Sequence, residues 1–293
     1  MGQHPWQRWL LLAVIGLFAG LLVAGNLALS LQWIHKPFPG YFVYENLTVG
    51  PYALPQWTAS GTRLRSLDRI VAVDGRPLHQ RGDLYEIVRN APSGSIFRYQ
   101  VVRGAETFEV AVPSMTLSLQ DWLLSFGIYV IMGLAFLIIG VAPYYFRAAS
   151  PASLPLCFMV LAVFVWFETT FDLMTAGQLP KELRIFGLTL TPGTGLHLVL
   201  LLKTGTPLWR SHPFRLIVIY GISILLGAVI SAAFAGPVEI WILAFRAGYL
   251  YACVSALAFL VIVGTALRGV LPVTSAPRSG SRIRSGCSGC STR

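Results

Sequence analysis

Residues 67–78, LDRIVAVDGRPL, decide how the rest of the chain reads, because they form a polar strand-and-turn unit inside an otherwise lipid-loving sequence. Asp68-Arg69 lead into the apolar run Ile70-Val71-Ala72-Val73. Asp74-Gly75 then close it, a dipeptide favoured where a tight turn needs positive φ. Outward from this unit, residues 37–118 are the one extended polar region. Phe42, Tyr44, Leu47 and Val49 predict an opening strand, and 96–102 and 107–112 predict two more. Residues 84–90 predict a short helix with Asp83 as its N-cap, stopped by Asn90-Ala91-Pro92.

The flanks have another solvent. The 293 residues are 55% hydrophobic and only 12% charged, against about 25% charge in soluble domains, and the mean hydropathy is +0.66. The formal net charge of +10 is scattered among apolar runs. That pattern points to loops beside anionic lipid headgroups, not to nucleic acid. Apolar runs at 9–34, 122–142, 154–174, 185–202, 214–234 and 241–267 approach or exceed the ~17 residues needed to cross a bilayer. The first exceeds the 7–15-residue core of a signal peptide and reads as an anchor. The fourth is the weakest, because Thr191-Pro192-Gly193-Thr194-Gly195 interrupts it.

The expected fold is therefore mixed: an α-helical polytopic bundle of about six spans carrying an inserted, β-rich α+β domain. Its parts are an anchor at 1–36, the inserted domain at 37–118, a five-span domain at 119–271 and a disordered basic Ser/Gly/Arg tail at 272–293. Arg8, Arg147, Lys203, Arg210, Arg215 and Arg268 fall on one side. Lys181, Arg184 and Glu239 are the short-loop charges of the other. The positive-inside rule then puts both termini in the cytoplasm and the inserted domain outside it.

Catalytic patterns are missing. There is no H-E-x-x-H for an intramembrane metalloprotease, and Gly193-Thr194-Gly195-Leu196-His197 has Thr where a serine nucleophile belongs. Cys287-Ser288-Gly289-Cys290 has zinc-like spacing but no second ligand pair, and Cys157 and Cys253 lie in apolar runs. No metal, cofactor or catalytic residue is expected. Glu168 and Asp172 share a helix face in the third span, and ionisable groups at that depth are costly. With His197 in the fourth span they read either as a proton or cation relay or as a solvated end, an interhelical pair and a carbonyl-bonded histidine.

The 67–78 stretch resembles the "GDxIxxVDG" signature of bacterial PDZ domains, with Ser66-Leu67 at the family's small-Gly step. The resemblance implies a peptide or protein partner, with Leu67, Asp68, Ile70, Val73, Asp74 and Gly75 as the ligand-binding motif and residues 55–63 at the position of the carboxylate loop. The layout as a whole resembles the N-terminal input half of bacterial membrane sensor histidine kinases. It is carried by Asn46-Leu47-Thr48-Val49-Gly50 ahead of 67–78, by Thr191-Pro192-Gly193 ahead of His197, and by His212-Pro213. No phosphoacceptor helix, Asn box or Gly-rich lid is present, so kinase activity does not carry over. If the low-complexity tail is an artefact of truncation, the missing output would have followed Leu271. The expected function is a non-enzymatic sensory input or interaction module in a bacterial cytoplasmic membrane, in contact with lipid and able to form a homodimer. The alternative is a small ion-coupled transporter using Glu168, Asp172 and His197.

Overall fold

The computed structural model describes residues 5–51, 53–146, 150–175, 177–204 and 213–270. The readings placed on Arg147, Arg210, His212 and the 272–293 tail with its Cys287 and Cys290 lie outside the described residues, as does the side chain of Arg268.

Helix α1 (Pro5–Leu31) leads into a small sheet region. It holds β1 (Pro37–Phe38), β2 (Arg69–Val73), β3 (Arg76–Pro77), helix α2 (Arg81–Arg89), β4 (Ile96–Arg103), β5 (Glu106–Pro113) and β6 (Met115–Thr116). Helix α3 (Leu119–Trp122) runs through a π-helical turn (Leu123–Gly127) into α4 (Ile128–Phe146). Then follow α5 (Ser153–Glu168), α6 (Thr170–Met174), α7 (Lys181–Thr204), α8 (Pro213–Ala233) and α9 (Val238–Val270). Among the described residues, six helical stretches are long and apolar enough to cross a membrane, the composition of a multi-pass membrane protein. The third and fourth are 56% and 61% buried, against 11% for the sixth, so α5 and α7 form the centre of the bundle. Apolar residues such as Leu21, Ile138, Leu225 and Leu257 are exposed around it, as lipid contact allows.

The sheet is antiparallel in the order β3-β2-β4-β5. Asp74 (φ 48) and Gly75 (φ 77) both take positive φ and make the predicted tight turn between β2 and β3. Along β4 the burial alternates, and Phe97, Tyr99 and Val101 point into the core. The opening strand expected at 42–49 does not form. Leu47, at φ 62, folds the segment back on itself, leaving only the isolated bridges Val43–Val49 and Thr48–Arg69. The strand that opens the sheet region is β1, paired antiparallel with β6. The short helix begins earlier than expected, and its N-cap is Gln80. Asp83 sits one turn in, where its Oδ2 accepts from the backbone N–H groups of His79 (2.9 Å) and Gln80 (3.1 Å).

Two further expectations change in the bundle. The fourth span is unbroken: α7 continues through Pro192, while the Thr191 and Thr194 hydroxyls donate to the carbonyls of Gly187 (2.8 Å) and Leu190 (2.9 Å). Arg184 is not a loop charge. It is 4% exposed and donates to the Trp166 carbonyl (3.0 Å) and to the Thr170 hydroxyl, at the C-terminal end of α5.

Helices α4 and α5 meet without room for a side chain at Gly140, where a β-carbon would come within 1.9 Å of a Val160 methyl. Gly140→Ala is expected to lower stability by about 1–3 kcal/mol in micelles, because the β-branched Val160 has little rotamer freedom to yield. Val160→Ala in the same chain should recover part of that loss. Strictly additive losses in thermal unfolding of the two single variants and the double variant would contradict this packing.

Candidate functional site

The sheet region is seated on the end of the bundle through a continuous core. Phe42 is fully buried, and its ring meets those of Trp33 (5.9 Å) at the end of α1, Phe126 (5.2 Å) in the π-helical turn and Phe171 (6.3 Å) in α6. Phe38 and Trp57 pack on it from within the sheet region. At the other end of the same core, Tyr44 packs against Trp241 of α9 at 5.3 Å.

Polar bonds cross the same boundary. Arg81, in the first turn of α2, is 7% exposed and donates to the Leu173 carbonyl. Tyr85, one turn further, donates its hydroxyl to the Met174 carbonyl at 2.7 Å and accepts from the Val43 N–H at 3.1 Å. These carbonyls belong to the C-terminal end of α6, where backbone acceptors have no helical partner. Helix α2 thus supplies the donors that α6 lacks. Burial pushes the Tyr85 phenol up to about 12 and raises Tyr41 and Tyr99 as well. On the opposite side, Asp121 in α3 accepts from Gln56 (3.0 Å) and from the Trp57 indole (3.1 Å).

The residues of the 67–78 motif build this unit from inside. Ile70 and Val73 are fully buried in the core, with Leu67 packed against it at φ 72. Asp68, 1% exposed, takes a bidentate contact from Arg103 (2.6 and 2.7 Å) and the Arg65 N–H (2.7 Å). Asp74 ties the turn to β4 by accepting from the Arg98 N–H at 2.8 Å, and Gly75 completes that turn. Two concavities lie elsewhere on the unit. One, of about 350 Å³, is lined by Tyr41, Pro55, Ala59, Ser60 and Arg65, around the stretch at the carboxylate-loop position. The other, of about 840 Å³, runs between α2, the end of α1 and the turn after α6.

The three intramembrane candidates occupy three separate settings. Glu168 is fully buried on α5 and accepts from the Asn26 amide of α1 at 3.1 Å. Its other oxygen lies against Gly133 of α4, where a β-carbon would come within 3.0 Å. Asp172, 2% exposed, closes the turn after α6 by accepting from the N–H groups of Gln178 (3.0 Å) and Leu179 (2.9 Å). His197 shares a hydrogen bond with the Tyr220 hydroxyl of α8 at 3.0 Å. At about 1.5 Å per residue, Glu168 lies about 9 Å below Met174, and His197 about 24 Å below Lys181 at the same end of the bundle. The His197 ring is therefore about 15 Å deeper than the carboxylate. Among the described residues no group of three His, Cys, Asp or Glu could hold a metal ion.

No protein-family model matches this chain, and no curated protein matches it.

Asn26, Arg81, Tyr85 and Trp33 were not singled out by sequence reasoning. Asn26 carried a visible signal, as an amide well inside the first apolar run. Arg81 and Tyr85 gave no signal, because their partners are main-chain carbonyls about ninety residues away, which leave no mark in side-chain patterning.

The Tyr85 phenol gives a pH signature. A folded-state pKa above the unfolded value of about 10 means full stabilisation below pH 10, lost as the pH rises through about 12. Two pKa units correspond to about 2.7 kcal/mol. Near-ultraviolet melts of the full chain should show stability falling across that window. Tyr85→Phe should flatten part of the fall and cost about 1–3 kcal/mol at neutral pH. A wild-type profile that is level from pH 10 to 12 would argue against a buried, doubly bonded phenol.

Proposed function

We propose that residues 37–118 are a PDZ-like module and that the protein is a membrane-embedded sensory input or protein-interaction subunit. In this reading the module takes a peptide or protein partner on the outer face of a bacterial cytoplasmic membrane, with both described chain ends toward the cytoplasm. The order strand, tight turn, strand, short helix and hairpin supports the first part. The short-loop charges support the orientation.

One observation carries the functional part: the Arg81 and Tyr85 side chains bond the Leu173 and Met174 carbonyls within a shared aromatic core. A partner that moves α2 must alter those bonds, and α6 connects directly to the two most enclosed spans. Such a partner shifts the bundle only by its differential affinity for the two arrangements. No catalytic group is assigned.

The transporter alternative draws on one observation, the buried Glu168 with an unpartnered oxygen beside the equally unpartnered Asn26 carbonyl oxygen. The separate settings of Asp172 and His197 weigh against a continuous relay.

Hydrogen–deuterium exchange of the full chain in nanodiscs tests the coupling. The double variant Arg81→Gln/Tyr85→Phe should lose protection in 170–175 and also in the first turns of α7. Exchange that rises only within 81–89 would refute it. Proteoliposome flux assays on Glu168→Gln separate the alternative: a proton or cation flux abolished by this change would favour transport over sensing.

A further inference from the structure

The 840 Å³ groove beside α2 has a mixed polar and apolar lining and shares one wall residue, Tyr85, with the contact to α6. Its volume falls within the range of small-ligand sites, about 300–1,000 Å³. Arg89, at the end of α2, lies over the Trp33 ring, its guanidinium carbon 4.0 Å from the ring centroid. A guanidinium held against a ring face keeps N–H donors for an acceptor at its edge. Lys36 lines the same groove. Neither cation has a carboxylate partner among the described residues. Glu86 is the one acidic group on the wall, so the groove keeps a net positive charge. Partial burial lowers the Arg89 pKa, the sign of a cation short of water and of a counter-charge.

The depth of the groove is informative. The first apolar span ends at Leu31 and the third at Met174. Gln32 and Trp33 follow the first end and Thr175 and Gln178 the second, and all of them line the groove. Two spans thus stop at its floor, at the level where a bilayer places its phosphates. Trp33 occupies the interfacial position that indoles favour.

We infer that this groove binds the phosphate headgroup of an anionic membrane lipid, held by Arg89 on its Trp33 platform and by Lys36. Gln32 and Gln178 supply amide donors for the remaining oxygens or for a headgroup hydroxyl. The site needs only α1 and α5–α6 to stand in a bilayer. It does not require the signalling role.

Native mass spectrometry of the full chain in neutral detergent, titrated with phosphatidylglycerol or phosphatidylcholine, tests it. Wild type should retain phosphatidylglycerol with a preference of about tenfold or more, the scale expected of two cations near a membrane surface. Lys36→Gln/Arg89→Gln should bring the preference to near unity. The milder Arg89→Lys keeps the charge and loses the fork, and should retain an intermediate preference. Arg69→Gln/Arg76→Gln, two exposed cations on β2 and β3, should leave it intact. Thermal melts identify any variant that fails to fold, in which case the Arg89→Lys result decides. The inference falls if wild type shows no preference, if the groove variants keep it, or if the β2–β3 variant loses as much. Displacement of the lipid by millimolar inorganic phosphate would assign the groove to a soluble anion and overturn the lipid source.

Discussion

Phe42 is buried among rings that arrive from both sides of the boundary between sheet region and bundle: Trp33 from the end of α1, Phe38 and Trp57 from the sheet region, Phe126 from the π-helical turn and Phe171 from α6. Offset and edge-on ring pairs of this kind are worth about 0.5–1.5 kcal/mol each beyond the area they bury. Their position matters more than their sum. They lie where polar chain meets apolar chain, so the sheet region cannot tilt on the bundle without opening a cavity in its own core. The buried donors Arg81 and Tyr85 fix the direction of that seat, since each would be left unsatisfied by a shift of a few ångströms.

The arrangement divides labour among the polar groups. Those in the 67–78 motif serve the sheet region internally, with Asp68 gripping Arg103 and Asp74 gripping β4. Arg81 and Tyr85 on α2 face the bundle. Those within the bundle pair across helices, Asn26 with Glu168 and Tyr220 with His197, and leave one Glu168 oxygen and the Asn26 carbonyl oxygen without a partner. In lipid an unsatisfied polar group costs several kcal/mol, which accounts for so many threonine hydroxyls donating to carbonyls one turn back along α5–α7.

Much of this was legible beforehand. Six apolar runs predict six helices, and the period-two patterns at 96–102 and 107–112 predict β4 and β5, because those signals are local. The Asp74-Gly75 turn was legible for the same reason: the backbone it needs is one few other pairs tolerate. The failures are those of context. Residues 42–49 carry strand-forming side chains, yet the helix ends they pack against hold them as a folded loop. Pro192 reads as a break, yet α7 runs through it, and the Thr191 and Thr194 hydroxyls add bonds to the nearby Gly187 and Leu190 carbonyls. Glu168, Asp172 and His197 were visible as costly residues, whereas their separation along the bundle depended on which helix faces which.

The short pairing of β1 with β6 has a topological corollary. It brings the point where the chain leaves α1 beside the point where it returns to α3, with the His35 N–H bonded to the Leu117 carbonyl at 2.8 Å and the Leu117 N–H to that of Lys36 at 3.1 Å. Some eighty residues therefore enter and leave through one narrow neck. The first two spans would remain neighbours whatever length of chain hung from that neck. The appended unit is thus a graft by connectivity and a keystone by packing, free to vary in its far loops and fixed where its rings meet the helices.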